Sequence, residues 1–313
     1  MSRARCVDLA TLCTTVPDAV ISSGELRATG VPNSTVATRC RPTGPWQRVL
    51  PGVLLLSSGH PTPGQRVRAA ATYVGGDCVI TGVEALRRHG AELGPRPAHG
   101  GEVHVLVSAR RRRASREYVL VERTTRLPEP VWHDGLAWAP AARAAVDAAR
   151  RQRDPAMLRA LLVAPVRAGA CTLAQVRAEL DAGSQRGTAA PRAVLDSIAL
   201  GARRATSALA RRVVAGAPLP PPRWHVPLRA ESGAALGVAD AWWDDVALAW
   251  DFGGSPPSRP TVGAGRRGAL AAGAMVLRTP PARLRDDPVG VVRELVAAFL
   301  HAASRPRPSV RAG

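Results

Sequence analysis

The chain has 313 residues, 46% of them hydrophobic, which is enough to build two or three domains with buried cores and excludes a disordered tail. All 43 basic residues are arginines, and against 24 acids they give a formal charge of +19, which favours a polyanionic partner. No apolar run approaches the roughly 18 residues of a membrane helix, so we expect a cytoplasmic protein without a membrane partner.

The first 60 residues predict two short helices in tandem followed by a β-ribbon. Ser22 or Ser23 caps a helix that Gly30 ends, and Pro32 opens a second one with Val36 facing inward. Two short strands then flank the turn at 51–52. This pattern is typical of a winged helix-turn-helix over 1–60, although a helical hairpin with a stabilising ribbon gives the same pattern.

The winged-helix interpretation predicts which side chains meet DNA. The second helix presents polar residues on its outer face, and arginines beside it and on the ribbon face the phosphates. We expect the contacts at Asn33, Ser34, Thr35, Thr38, Arg39, Arg41 and Arg48.

The segment 61–183 predicts a mixed α/β domain of helix, strand, helix and two further strands. These last strands, EVHVLVS and EYVLVER, are joined by ARRRRASR, which predicts a hairpin. Four arginines would occupy its tip, where they either clamp phosphates without reading sequence or form a solvated surface of little consequence for stability. They are Arg110, Arg111, Arg112 and Arg113.

Residues 139–183 predict amphipathic helices with a solvated arginine face. Apolar residues at core spacing include Val146, Met157 and Leu161. The small, helix-breaking stretch SQRGTAAPRA then marks the junction to a C-terminal domain over 184–305, and we expect 306–313 to be a disordered tail.

Cysteine and histidine residues give no metal site. The five cysteines lack C-x-x-C spacing, and the seven histidines are dispersed without a cysteine at ligand spacing. We therefore predict reduced cysteines and no metal ligands of these types.

The segment SSGELRATGVPNSTVATRCRPTGPWQRVLPGVLLL resembles the N-terminal winged helix of actinobacterial proteins related to AbiEi antitoxins of type IV toxin-antitoxin systems. Their acid-bearing helix, GVS-x-ST turn and W-x-R-LLPGVY wing are matched by GELRATG, GVPNST and WQRVLPGVL. The stretches TPGQRVRAAATY, CVITGVEALRRHG, HVLVSARRRR and DGLAWAPAARAAVDAAR extend the resemblance over most of the chain. It implies a DNA-binding transcriptional regulator with a cognate toxin as a partner.

The C-terminal part resembles the very-short-patch-repair endonucleases, which have a restriction-endonuclease-like α/β fold. The stretch GVADAWWDDVALAWDFGG corresponds to their catalytic β-hairpin, and the resemblance places Asp240 and Asp251 at two carboxylate positions that hold Mg²⁺ in active relatives. The match is incomplete, because Ser207 and Gly253 stand at the other two positions. The chain also lacks lysine, and SPPSRPT replaces a histidine-containing stretch.

These observations predict an α+β multidomain protein with a winged helix-turn-helix, a mixed α/β middle domain and a restriction-endonuclease-like domain. The favoured function is a double-stranded-DNA-binding regulator with an inactive nuclease-like domain and no cofactor. The alternatives are a Mg²⁺-dependent DNA endonuclease using Asp240 and Asp251, with Mg²⁺ as its cofactor, and an antitoxin that acts through its toxin rather than through DNA.

Overall fold

The computed structural model describes residues 9–97, 100–253 and 272–313 and has a mixed α+β fold with three β-sheets. The chain divides into two compact units, one up to Leu195 and one from Asp196. The finer boundaries at 60 and 183 stay predictions. Across the described ranges, no helix is long and apolar enough to cross a membrane.

The N-terminal elements form a three-stranded antiparallel sheet with short helices, in the strand order β1-β3-β2. The strands that flank the turn at 51–52 lie where the sequence predicts them. In chain order the elements are α1 (Leu9–Thr15), a 3-10 turn (Pro17–Ala19), β1 (Val20–Ser22), α2 (Ser23–Ala28), α3 (Asn33–Arg39), β2 (Gln47–Leu50) and β3 (Val53–Leu55).

A mixed five-stranded sheet follows, in the order β6-β5-β4-β8-β7. Its core is continuous with one face of the N-terminal sheet, because Val20, Leu50 and Leu55 belong to the same buried cluster as Ile80 and Val105. The elements are α4 (Pro63–Val74), β4 (Val79–Thr81), α5 (Gly82–Arg88), β5 (Val103–Ser108), β6 (Val119–Thr124), β7 (Val131–His133) and β8 (Leu136–Trp138).

The predicted hairpin between β5 and β6 is wrong, because the two strands pair in parallel, from Val103 with Val119 to Ser108 with Thr124. Residues 109–118 therefore form a crossover that returns the chain to the other end of the sheet. The crossover runs over α4, where the Tyr73 hydroxyl donates to Ala114 O at 3.0 Å. This contact with a helix distant in sequence outweighs the local hairpin pattern.

Four helices come next: α6 (Ala141–Ala149), α7 (Pro155–Arg167), α8 (Leu173–Ala182) and α9 (Ala189–Ala215). Val146 and Leu161 are buried as predicted, but Met157 is 36% exposed. Its backbone N–H donates to the Asp154 cap of α7, so it lies in the first turn at the helix surface. The expected solvated arginine face is also wrong for α6, because Arg143 is only 6% exposed.

The second unit holds a five-stranded sheet in the order β12-β11-β10-β9-β13, in which only the β11–β12 pair is parallel. One buried cluster joins Trp243 and Trp250 to Val213 of α9 and Leu295 of α11, so these helices cover one face. The elements after α9 are β9 (Arg223–Ala230), β10 (Ala235–Trp243), β11 (Leu248–Asp251), β12 (Met275–Arg278), α10 (Pro281–Asp286), α11 (Pro288–Ala303) and β13 (Val310–Ala312).

The C-terminal residues differ from the expected disordered tail. Strand β13 pairs antiparallel with β9, Val310 opposite Ala230, and Val310 is fully buried in the cluster on the second face of the sheet. A short strand with one apolar anchor carries too little sequence signal to be predicted, yet it covers the edge of β9.

Candidate nucleic-acid interface

Helix α2 and the turn after it are fixed by local hydrogen bonds. A capping box starts the helix: Glu25 N donates to Ser22 Oγ, and Ser22 N donates to the Glu25 carboxylate. At its end, Gly30 N donates to Arg27 O at 2.9 Å and Val31 N to Leu26 O at 3.4 Å, a Schellman arrangement. Gly30 has φ +92°, which glycine adopts without steric cost and which turns the chain into α3.

Helix α3 is held by its inner face. Val36 is buried in one cluster with Leu26, Trp46 and Leu54, so the helix packs on α2 and on the ribbon of β2 and β3. Glycine at position 44 allows the following loop to fold back, because any Cβ there would collide with Arg39 O. Trp46 N then donates to Arg39 O at 3.0 Å, which ties the ribbon to the last turn of α3.

The outer face of α3 carries the residues predicted to meet DNA. Asn33, Ser34, Thr38 and the following Arg41 are exposed, whereas Thr35 is half-buried. Asn33, Ser34, Thr35 and Thr38 belong to the seven-residue helix itself, and Arg41 lies two residues beyond its end. The surface therefore offers amide, hydroxyl and guanidinium groups side by side.

Arg39 and Arg48 flank this face in different ways. The Arg39 guanidinium lies over the Trp46 ring, 5.1 Å from its centroid, which orients it. Arg48 is exposed on β2. Burial raises the pKa of the Cys40 thiol, and the charge of Arg48 opposes that rise.

From the second half of α2 through the ribbon to the end of α4, the charged side chains are of one sign. Residues 26–76 contain six arginines and no aspartate or glutamate. Two of the six are used inside the fold: Arg66 stacks on Tyr118 at 3.7 Å, and Arg68 pairs with Asp18. The other four, at positions 27, 39, 41 and 48, belong to α2, α3, the loop after α3 and the ribbon.

The four arginines at 110–113 differ in their contacts. Arg111 donates to Gly75 O and to Val74 O, the latter at 2.9 Å, and Arg113 donates to Tyr73 O with its guanidinium 4.2 Å from the centre of the Tyr73 ring. Both thus satisfy carbonyls at the C-terminus of α4, where positive charge also complements the helix dipole. The side chains of Arg110 and Arg112 are exposed.

The two acids predicted as metal ligands occupy facing positions. Ala241 pairs with Trp250 across β10 and β11, and Asp240 and Asp251 are each the next residue outward. Asp240 Oδ2 accepts hydrogen bonds from Phe252 N at 2.8 Å and Gly253 N at 2.6 Å. This carboxylate therefore terminates β11 by satisfying two backbone donors.

A magnesium site does not fit these residues. A Cβ at Gly253 would lie 3.0 Å from Asp240 Oδ2, so the side chain of Asp240 fills the space where a further ligand would begin. The turn acid Asp244 accepts from Trp242 Nε1 at 2.9 Å and pairs with Arg307 at 3.3 Å, which is a structural role. Within the described ranges, no three His, Cys, Asp or Glu side chains come together. The stretch SPPSRPT lies outside the described residues.

Sequence reasoning missed a charged cluster beneath β6 and α6. Asp147 is 1% exposed and accepts from Thr81 Oγ1 at 2.8 Å and from Arg143 Nε at 2.9 Å. Arg143 and Asp147 are four residues apart on α6, a spacing that pairs opposite charges on a helix face. That spacing was the available signal, but it also occurs on solvated helices.

A scan against protein-family models gave no match for this chain, and a search of curated proteins gave none either. The function is therefore inferred from the residues and contacts described above.

Proposed function

We propose that this chain is a transcriptional regulator that binds double-stranded DNA through an N-terminal winged helix, as its resemblance to AbiEi-family antitoxins implies. The observation that carries the proposal is the outer face of α3, whose exposed polar residues lie within a segment, residues 26–76, that has six arginines and no acidic residue. Helix α3 enters the major groove in this proposal, and the ribbon of β2 and β3 lies along the phosphate backbone.

The dimensions and chemistry of α3 support this docking. Seven helical residues span about 10 Å, and the major groove, about 12 Å wide, admits an α-helix. Asn33 offers the amide that pairs with adenine, and Arg41 the fork that pairs with guanine. Arg39 and Arg48 supply phosphate contacts that position the helix without reading sequence.

The second unit supports an inactive nuclease-like fold better than an endonuclease. Its central sheet and covering helices suit the restriction-endonuclease-like domain implied by the resemblance. Its Asp240 carboxylate, however, is engaged by two backbone donors, and Gly253 supplies no ligand. Mg²⁺ prefers several oxygen ligands in octahedral order, so we derive no metal-dependent cleavage from this arrangement.

A cytoplasmic location follows from the proposed DNA partner. A cognate toxin as a second partner rests on the resemblance to the antitoxin family alone.

Fluorescence anisotropy with the full chain tests the proposal. The probes are a duplex of about 30 base pairs selected by the protein from a random pool and a scrambled duplex of the same composition. Thr38→Ala and Arg41→Ala should weaken binding to the selected duplex about tenfold, the loss expected for one base contact, and binding to the scrambled duplex less. Arg88→Ala, at an exposed arginine on α5, is the control and should change neither. Equal losses on both duplexes would contradict sequence reading by α3.

A further inference from the structure

A cleft in the first unit, separate from the α3 surface, is large enough for a small ligand. It has a volume of about 1170 Å³ and lies between β6, α6, the end of α8 and the loop 183–187. Pockets for small molecules and cofactors typically have volumes of about 300–1,000 Å³. We call it the arginine cleft, because Arg123, Arg126, Arg143, Arg150, Arg151 and Arg186 line it.

The floor of the arginine cleft is a largely buried ion network. Arg143 is held by Asp147, by Arg126 O at 3.1 Å and by Glu179 at 3.4 Å, while its side chain is only 7% exposed. Burying charges costs free energy that their attraction rarely repays in full. Apolar residues would fill this space at no such cost, so the network favours a role in binding.

Among the lining residues, Arg150 gives the strongest indication of an anion site. Its side chain is 16% exposed, and Nε donates to Arg186 O at 3.1 Å. The nearest carboxylate oxygens, on Glu122 and Asp147, lie 3.6 and 3.9 Å from Nη1, beyond hydrogen-bond reach. Among the described residues, its terminal nitrogens therefore have no close acceptor, although they lie in the cleft wall. A mostly buried guanidinium in this condition is prepared to donate to an anion.

The lining also carries more positive than negative side chains. Three acids, Glu122, Asp147 and Glu179, face six arginines in it. Arg123 and Arg186 are exposed and have no acidic partner in the described part of the chain, and Arg151 has only Glu102 at 3.7 Å, with both side chains about half exposed. Such a surface pair contributes little and leaves Arg151 available.

A glycine holds the loop wall of the cleft in place. Gly187 has φ +74°, and a Cβ there would lie 2.8 Å from Arg150 O, so the loop can approach the end of α6 this closely only with glycine. This close approach places Arg186 beside Arg150, so the end of α6 and the loop 183–187 together form one side of the cleft.

We propose that the arginine cleft binds a small ligand with several linked phosphates, either a nucleoside triphosphate or an inorganic oligophosphate. Guanidinium forks from β6, α6 and the 183–187 loop match phosphate oxygens, and Thr124, Thr125 and Ser184 add hydroxyl donors. The lining contains no aromatic side chain on which a base could stack. Recognition is therefore directed at the phosphates.

Isothermal titration calorimetry of the full chain tests this with tripolyphosphate, ATP and adenosine. Tripolyphosphate and ATP should bind with affinities within about tenfold of each other, and adenosine should not bind. Arg150→Gln and the double variant Arg123→Ala/Arg186→Ala should each weaken tripolyphosphate at least tenfold, one lost charge-assisted contact or more. The matched control Arg88→Ala/Arg159→Ala removes two exposed arginines outside the cleft and should stay within twofold.

The double variant alters only exposed side chains, so it tests the cleft even if Arg150→Gln fails to fold. No binding of tripolyphosphate, or equal weakening in the cleft and control variants, would overturn the proposal. Displacement of tripolyphosphate by a 30-base-pair duplex would also overturn it, because the cleft would then be a nucleic-acid surface. Thr38→Ala should leave tripolyphosphate binding unchanged, which separates this proposal from the DNA-binding one.

Discussion

The four-arginine run offers a matched pair of double variants within one segment. Arg111→Ala/Arg113→Ala removes side chains bonded to the C-terminal carbonyls of α4, whereas Arg110→Ala/Arg112→Ala removes the same charge from exposed positions. We expect the first pair to destabilise the first unit and the second pair to leave its stability unchanged.

The expected loss follows from the contacts. Three hydrogen bonds from charged donors, each worth about 1 kcal/mol net at these partly exposed positions, are lost with Arg111 and Arg113. The contact of Arg113 with the Tyr73 ring adds about 0.5 kcal/mol. A total of about 3.5 kcal/mol lowers the unfolding midpoint of a unit of this size by roughly 7–14 °C.

Differential scanning calorimetry of the full chain measures both variants. The reasoning is refuted if the two double variants lower the midpoint equally, or if Arg111→Ala/Arg113→Ala leaves it within about 1 °C of the wild type.

Two further predictions concern single carboxylates. Asp240→Ala should destabilise the second unit by about 2 kcal/mol, because it orphans two backbone donors, and Asp240→Asn by less, because an amide oxygen still accepts; urea unfolding followed by tryptophan fluorescence measures both. Addition of Mg²⁺ should stabilise neither the wild type nor these variants. Mg²⁺-dependent nicking of a plasmid by the wild type would contradict the proposal that the nuclease-like unit is inactive. His104, whose Nε2 lies 3.1 Å from a Glu122 carboxylate oxygen, lowers the pKa of Glu122 below its ordinary value of 4.5. The stabilising effect of the Glu122 carboxylate is therefore present above that pH and lost as the pH falls below it. The stability difference between the wild type and Glu122→Gln should accordingly shrink between pH 6 and pH 3, and a difference independent of pH would contradict this.

Local sequence signals predicted much of the N-terminal region. Three features there act within a few residues, so the sequence alone predicts them: the capping box at Ser22 and Glu25, the positive-φ glycine at position 30 and the turn at 51–52. The exposure of Asn33 and Thr38 follows from the same helical period that buries Val36.

Contacts between distant segments caused the failures. The stretch between β5 and β6 has the local sequence pattern of a hairpin. In the structure it is a parallel crossover, in which Arg111 and Arg113 donate hydrogen bonds to carbonyls at the end of α4. The sequence predicts Arg143 as a surface residue of an alanine-rich helix. Its burial is explained by Asp147 on the same helix together with Glu179, which the fold brings beside it. Neither the hydrogen bonds to α4 nor the contact of Arg143 with Glu179 has a signal in the local pattern.

The arginine cleft was equally hidden from the sequence. Its six arginines lie on β6, just after β6, on α6, at the two positions after α6 and in the 183–187 loop, so no short window of the sequence contains the site. Asp240 and Asp251 lie on strands that are adjacent in sequence, so the sequence predicted that they face each other. The hydrogen bonds that Phe252 and Gly253 donate to Asp240 were not predictable.

The salt dependence of duplex binding by the full chain tests the DNA-binding proposal most directly. Arg39 and Arg48 are the proposed phosphate contacts, and Arg27, exposed on α2, adds a third. Three phosphate contacts give a slope of about −2.7 in log affinity against log salt, or a loss of about 40-fold from 50 to 200 mM. Arg48→Ala should make the slope shallower by about 0.9 and weaken binding to every duplex alike. Absence of duplex binding at 50 mM salt, or a slope unchanged by replacing Arg39 and Arg48 together, would contradict DNA binding through α3 and the ribbon.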